Sequence, residues 1–334
     1  MRIGLLALPY SMRSAIAGLT DMFWLANQVI TQNPTLNRDL SRAAPFYDVK
    51  IITGDGKPVM DVQGRIIESD SAFDEIEHFD VIIASGMQLD DQKYPLAKQA
   101  VLEAAQWLKE KYSQGSCIAG ACAGSFVLGE AGLLNGRECT TTWWLFHTFR
   151  ERYVSAKPQW GKTLVEQDNV ITTGGPLSWV DLVIHLVRLH AGNDIAKLTA
   201  DMAVADSQPL SQQLYAPGGF LNSRHPLLIK AEHLVRYQTP AITVEQLAAA
   251  LNMTTRTLNR KMAFLVQESP KSFITRVRIE TAVMLLESPV KTVSQIANAC
   301  GYQDETAFRR AFKGVMGMSP GHYREWIKDR TIGI

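Results

Sequence analysis

The carboxyl end of the chain repeats itself, and a repeated helical pattern leaves few folds open. The segment "TVEQLAAALNMTTRTLNRKMAFL" begins at Thr243 and "TVSQIANACGYQDETAFRRAFKG" at Thr292. Each opens with a short helix carrying an apolar-alanine pair, Leu247-Ala248 and Ile296-Ala297. Each then turns at Asn252 or Gly301, residue types that take up left-handed backbone at little cost. A second helix follows, with Leu258 and Met262, or Phe308 and Phe312, turned inward. Arg256, Asn259 and Arg260, or Arg309, Arg310 and Lys313, are left elsewhere. This is the layout of a helix-turn-helix whose second helix enters a major groove. A helical bundle with a basic surface would explain one copy; two copies at matched spacing argue against it. A helix over 272–287 would join them as a rigid spacer.

The 334 residues suggest about two domains at roughly 150 residues each. Net charge is only +1, but it is split. Residues 224–334 carry 16 Lys and Arg against 9 Asp and Glu, and the earlier part is acidic in balance. A basic tail behind an acidic body suggests a polyanion-binding module on a carrier domain.

The earlier part alternates strand-like and helix-like stretches. "RIGLLAL", "YDVKIIT", "FDVIIAS" and "SCIAG" read as strands. Helical periodicity covers 14–30 and about 95–112. "KTLVEQDNVITTGG" reads as a hairpin turning at Asp168-Asn169, and Pro176 as the opening of an apolar helix ended by Gly192. The expected fold class is therefore an α/β N-terminal domain, doubly wound around a mostly parallel sheet. An all-α C-terminal domain with two helix-turn-helix motifs follows. The stretch "DSQPLSQQLYAPGGFLNSR" breaks the periodicity and reads as a linker. The boundaries are 1–205, linker 206–224, and 225–330. Beyond it, Pro240, Pro270, Pro289 and Pro320 punctuate the helices.

The four cysteines show no paired metal-ligand spacing, and their scarcity fits a reducing cytosol. "MRIGLLALPY" is too short for a signal peptide, and no apolar run of about 18 residues appears. The expected location is the cytoplasm, with no membrane, metal or cofactor.

"GACAGSF" places Cys122 between a strand and a helix, with Gly120 and Gly124 on either side. Nucleophiles are mounted this way, and the helix N-terminus beginning near Ala123 would lower the thiol pKa. A buried structural cysteine fits the spacing equally well.

The tail resembles the DNA-binding domain of the AraC/XylS family of bacterial transcription regulators, over about 227–327. The match lies in "RIETAVMLLESPVKTVSQIANACGYQDETAFRRAFKGVMGMSPGHYR". It implies two DNA-entering helices reaching successive major grooves, about 34 Å apart. Thr255, Arg256, Asn259 and Arg260 would face DNA from the first, Glu305, Thr306, Arg309 and Arg310 from the second. "CAGSFVLGEAGLLNGRECTTTWW" and "ITTGGPLSWVDLVIHLVRLHAG" resemble the DJ-1/PfpI-like domain of the class I glutamine amidotransferase superfamily. The likeness is to the version that precedes AraC-type domains in GlxA-like regulators, and it covers about 2–206. It implies a flavodoxin-like, DJ-1-like sheet.

That family often has "TTHW" where this chain has "TTTWW", so Thr142 stands in place of a histidine. Threonine cannot act as a general base or form a thiolate–imidazolium pair. His147 could swing in, although an offset of five on a helix points elsewhere. His185 and His190 read as packed or surface residues, and Asp21 as either an acid facing the elbow or a solvent carboxylate. No catalytic residue is therefore expected. A small metabolite, with amino acids and amines the classes to screen, would dock at Cys122, Ala123, Thr141, Thr142, Trp143, Gly174 and Gly175. Trp144 could wall the site. The resulting expectation is a homodimeric, DNA-binding transcription activator that contacts operator DNA and RNA polymerase and senses a metabolite without turning it over. The alternative is a cysteine-dependent hydrolase or amidase fused to a DNA-binding domain.

Overall fold

The computed structural model describes residues 1–34, 44–76, 78–207, 209–217, 219–222, 225–287 and 290–332, with backbone alone for 222 and 329–332. Arg224, at the expected linker end, and Pro289 lie outside the described residues. The chain divides into two compact units, Met1–Gln212 and Gln213–Ile334.

The first unit runs β1 (Arg2–Leu6), α1 (Arg13–Gln32), β2 (Asp48–Thr53), β3 (Val59–Met60), β4 (Ile66–Ile67), β5 (Ser71–Ala72), β6 (Val81–Ala84), α2 (Lys98–Ser113), β7 (Cys117–Ala121) and α3 (Gly124–Glu130). It continues with β8 (Glu138–Cys139), α4 (Phe146–Arg152), β9 (Lys157–Pro158), β10 (Leu164–Gln167), β11 (Val170–Thr173), α5 (Trp179–Ala191) and α6 (Asn193–Met202). Seven strands form one sheet in the order β10-β11-β7-β6-β1-β2-β5, parallel throughout except for β10 against β11. Successive residues of a strand face opposite sides. Ile3, Leu5, Val81 and Ile83 accordingly join the core with α1, α5 and α6, while Leu6, Ile82, Ala84 and Ile118 join the core with α2 and α3. Burial on both faces is why these strands read as continuous apolar runs.

The hairpin turns where expected, with Asp168 and Asn169 both at positive φ, the geometry of a type I′ turn. Helix α5 starts at Trp179, three residues after Pro176. Gly175, at φ +109°, and Ser178 form a turn first, and the Ser178 hydroxyl donates to the Gly175 carbonyl at 2.8 Å. Helix α2 likewise starts at Lys98, because Pro95 is held in a bridge to Leu89.

Asp181 in the first turn of α5 carries a raised pKa, about 6, through burial first and the nearby charge of Asp206 second. A carboxyl raised from the usual 3.8 favours the folded unit fully below pH 4, and that contribution fades as pH climbs through 6. The first unit should therefore lose about 1–3 kcal/mol across that window. Asp181→Asn should abolish this part of the slope in Tm measured against pH.

The second unit is helical: α7 (Pro226–His233), α8 (Val244–Ala250), α9 (Thr255–Val266), α10 (Pro270–Leu286), α11 (Val293–Ala299), α12 (Glu305–Met316) and α13 (Pro320–Ile332). Pro226 and Pro270 sit at helix starts, where a missing N–H costs nothing. The expected repeat is present. Thr243 with Gln246 and Thr292 with Gln295 form reciprocal capping boxes at α8 and α11. Asn252 lies at φ +55° and Gly301 at φ +80°. Spacing differs from the expected match by one residue: 251–254 join α8 to α9, and 300–304 join α11 to α12. The longer turn places Tyr302 against the ring of Phe308, 5.4 Å between centroids. Helix α10 packs on both motifs.

Candidate functional site

Strand β7 is buried along its whole length and leads into Cys122, a non-glycine residue held at φ +55°. Such backbone persists only where surroundings fix it. Here the Cys122 N–H donates to the Thr173 carbonyl of β11 (2.8 Å), and its carbonyl accepts from the Ser125 N–H (3.2 Å) and hydroxyl (2.8 Å). Gly120 and Gly124 are needed for approach. A Cβ at Gly120 would press on the Ser125 nitrogen, and one at Gly124 would overlap the Ala84 carbonyl of β6.

The thiol's partner is Thr142. Its hydroxyl donates to Cys122 Sγ at 3.0 Å and accepts the Gly175 N–H at 3.2 Å, so its geometry is fixed from both sides. Cys122 is 7% exposed. Burial pushes its pKa up, and the Thr142 hydroxyl and Ala123 N–H offset this only partly. The expectation that the helix N-terminus would lower the thiol pKa is corrected: α3 has only seven residues, and burial raises the thiol pKa despite the Thr142 and Ala123 hydrogen bonds.

Among the described residues, the Cys122 thiol is hydrogen-bonded by Thr142 and not by a histidine. His147 is buried on α4, its ring edge-on to Phe146. His185 pairs with Glu166 at 2.8 Å, and His190 sits at the far end of α5 with its pKa lowered, chiefly by burial. Asp21 is exposed on α1. Iodoacetamide should therefore label Cys122 slowly at pH 7.5, with label appearing only as the protein is unfolded in urea. Mass spectrometry of native and denatured samples checks this.

The residues proposed from sequence for a ligand do converge. Cys122, Ala123, Thr142 and Gly175 form one hydrogen-bonded chain, and Thr141 Oγ1 lies 2.9 Å from the Ser125 hydroxyl. Trp143 and Trp144 stand edge to face at 5.3 Å, both partly exposed. Gln212 is a member that sequence reasoning missed. Its amide donates to the carbonyls of Thr141 (2.9 Å) and Lys162 (2.8 Å) and accepts from the Trp143 N–H (2.8 Å). Its side chain lies against the Gly174 α-carbon, where any Cβ would collide with it. A polar residue in a Pro- and Ser-rich stretch gave no sign of burial. Among the described residues, no group of three or more His, Cys, Asp and Glu is placed to hold a metal ion.

In the second unit Thr254 caps α9 and Asp304 caps α12 through backbone N–H groups, which hold the Asp304 carboxyl below its ordinary pKa. Leu258, Met262, Phe308 and Phe312 are fully buried. Thr255, Arg256, Asn259 and Arg260 are exposed on α9, and Thr306, Arg309 and Arg310 on α12. Glu305 is partly exposed and pairs with Arg309 at 2.6 Å, and the Asn259 amide donates to the Thr255 carbonyl. Among the described residues Arg256 and Arg260 make no ion pair, and the charge of Arg310 helps hold the Asp304 carboxyl low.

Residues 247–325 match the model of a helix-turn-helix domain, and residues 36–189 match the DJ-1/PfpI family. The HTH-type transcriptional regulator CdhR of Pseudomonas aeruginosa is 28% identical over 289 residues, covering 84% of this chain and 82% of that one. The HTH-type transcriptional regulator GbdR of the same species is 21% identical over 310 residues, 92% of this chain and 83% of its own. A solved protein from Vibrio parahaemolyticus, described as a candidate transcriptional regulator, superposes with a TM-score of 0.51. It has 16% identity and covers 60% of this chain and 98% of that one, a likeness of fold.

Proposed function

We propose that this chain, a DNA-binding transcription regulator with an AraC-type helix-turn-helix domain behind a DJ-1/PfpI domain, senses a small metabolite in its first unit without chemically altering it. One observation carries this reading: the Cys122 thiol is hydrogen-bonded to Thr142, a hydroxyl already held by Gly175, where a nucleophile would need a base. The mount has therefore become a binding feature. The metabolite would lie against Cys122, Ala123, Thr141, Thr142, Trp143, Gly174 and Gly175, at the carboxyl ends of the strands where open α/β sheets take ligands. Linker 206–224 would relay occupancy to the DNA-binding domain over 225–330. The effect on transcription would be activation, exerted by a cytoplasmic homodimer that contacts RNA polymerase. No described helix is long and apolar enough to cross a membrane.

The test is a thermal-shift screen of amino acids and amines, repeated on Cys122→Ser. A true ligand at a hundred times its dissociation constant adds about 2.7 kcal/mol. A hit that also alters operator binding, and keeps doing so in Cys122→Ser, supports sensing without turnover. Hydrolysis of an amide or ester that disappears in Cys122→Ser would establish the enzyme instead.

For the DNA surface, the proposed readers are Thr255, Arg256, Asn259 and Arg260 on α9 and Glu305, Thr306, Arg309 and Arg310 on α12. Arginine can take guanine in bidentate fashion, and each such contact is worth about 1–3 kcal/mol. Arg260→Ala and Arg310→Ala should each weaken operator binding by that amount and relax preference at one position. Unchanged affinity in both, measured by fluorescence anisotropy, would place the readers elsewhere.

A further inference from the structure

We infer that Arg278 and Gly301 are positioning residues that set the separation of the two DNA-entering helices, and with it the spacing of half-elements the protein accepts. The inference rests on reading α9 and α12 as the helices that enter DNA.

Two helix-turn-helix motifs hung on one helix could hinge about it. What holds them to each other is a small contact on one side of α10. Arg278 projects from α10 and is half-buried. Its Nε donates to the Pro240 carbonyl at 2.5 Å and its Nη2 to the Ile242 carbonyl at 3.0 Å. Those carbonyls belong to the strip leading directly into Thr243, the cap of α8. The same guanidinium lies over the Tyr302 ring, 5.6 Å from its centroid. Tyr302 belongs to the turn of the second motif and packs on Phe308, the first inward residue of α12. One planar side chain therefore grips the entrance of the first motif and the turn of the second, a geometry that lysine cannot reproduce.

Gly301 closes the same contact from below. Its φ of +80° is the turn requirement read from the sequence. The structure adds a second one: a Cβ there would overlap the carbonyl of Pro240 and crowd the nitrogen of Ala241. Backbone meets backbone between the motifs, and backbone cannot yield as a side chain can. Alongside, the motifs part around a groove of about 730 Å³ that reaches from Val244 and Thr275 to Arg310. On that side, then, the separation depends on few atoms.

DNA is a demanding gauge of such a separation. One inserted base pair moves a half-element about 3.4 Å and turns it by about a tenth of a helical turn. The experiment uses the full chain. A bipartite site is selected from random duplexes with the wild-type protein. Dissociation constants are then measured on that duplex, on versions with the spacer one base pair shorter or longer, and on a duplex holding a single half-element. Wild type should favour its own spacing by about tenfold or more. Arg278→Ala should bring the three spacings within about threefold of each other while leaving binding to the single half-element unchanged. Arg278→Lys should retain an intermediate preference. Should Arg278→Ala fail to fold by circular dichroism, Arg278→Lys and Tyr302→Leu carry the same measurement. An undiminished spacing preference in a folded variant overturns the inference alone, as does an equal loss on every duplex, which marks a simple phosphate contact. Selection of a site with one element overturns the inference together with the two-helix reading.

Discussion

Gly124→Ala is expected to unfold the first unit at temperatures where the wild-type unit is intact. The added methyl has nowhere to go. It would lie inside contact distance of the Ala84 carbonyl oxygen and carbon and of the Ser85 oxygen. Ala84 is the last residue of β6 and is paired in register with Gly120 of β7, so moving it means opening the middle of the sheet. Overpacking normally costs about 1–3 kcal/mol because side chains shift to absorb it. Here the obstacle is backbone on a central strand, and the cost should reach about 3 kcal/mol or more. Six of the seven tryptophans lie in this unit, so fluorescence during thermal denaturation reports mainly on it. Gly174→Ala is the informative contrast. A Cβ there would overlap the Gln212 side chain, which can swing away, and also the Thr141 carbonyl, which belongs to a loop rather than to a central strand. A smaller loss in Tm is expected, with release of Gln212 from Thr141, Lys162 and Trp143. If the two variants lose Tm equally, backbone rigidity at the elbow is not what separates them.

These two glycines also mark what the sequence could reveal. The alternation of apolar runs and helical periods disclosed the layered sheet because burial on both faces imposes a composition on every strand. Asn252, Gly301 and the Asp168-Asn169 turn were legible because positive φ selects few residue types. The inward aromatics of α12 followed from helical spacing alone. Contacts that join distant parts of the chain left no such trace. Gln212 reaches back to Thr140–Trp143 across some seventy residues, and nothing in "SQQL" distinguishes it from a solvated linker. The direction of the thiol pKa shift is hidden from the sequence for a related reason. The helix N-terminus is visible in the sequence, whereas the burial of Cys122, which decides the sign, depends on neighbours distant in the chain such as Gly86 and Thr142. The extra residue in the second turn is masked by the matching caps Thr243 and Thr292 and the matching positions of Asn252 and Gly301. It admits Tyr302, on which Arg278 stacks.

The charged residues of α10 are packed into the second unit rather than left in solvent. Arg276 and Glu280 look like an exposed pair one helical turn apart, yet the Arg276 side chain is 4% exposed. It holds Glu268 through Nε and Nη2 at 2.9 and 3.0 Å and Glu280 through Nη1 at 2.8 Å. The other oxygen of Glu280 accepts from Arg236 at 2.7 Å and from the Gly219 N–H at 3.1 Å. Burial alone would lower the Arg276 pKa, but the two carboxylates outweigh it and hold the guanidinium charged. Arg276→Ala takes the cation from Glu268 and one of the two guanidiniums from Glu280, which keeps Arg236 and the Gly219 N–H. Breaking a buried network by deleting one partner costs about 3–5 kcal/mol, more than the intact network contributes over an apolar replacement. Urea unfolding of the second unit should show that loss at pH 7. A second substitution separates this cause from a simple cavity. If the loss comes from Glu268 deprived of its cation, Arg276→Ala combined with Glu268→Gln should regain part of it in the same urea titration. A cavity left by lost packing would leave the deficit of the double variant as large as that of Arg276→Ala. Since α10 packs on both helix-turn-helix motifs, operator binding should follow the same order.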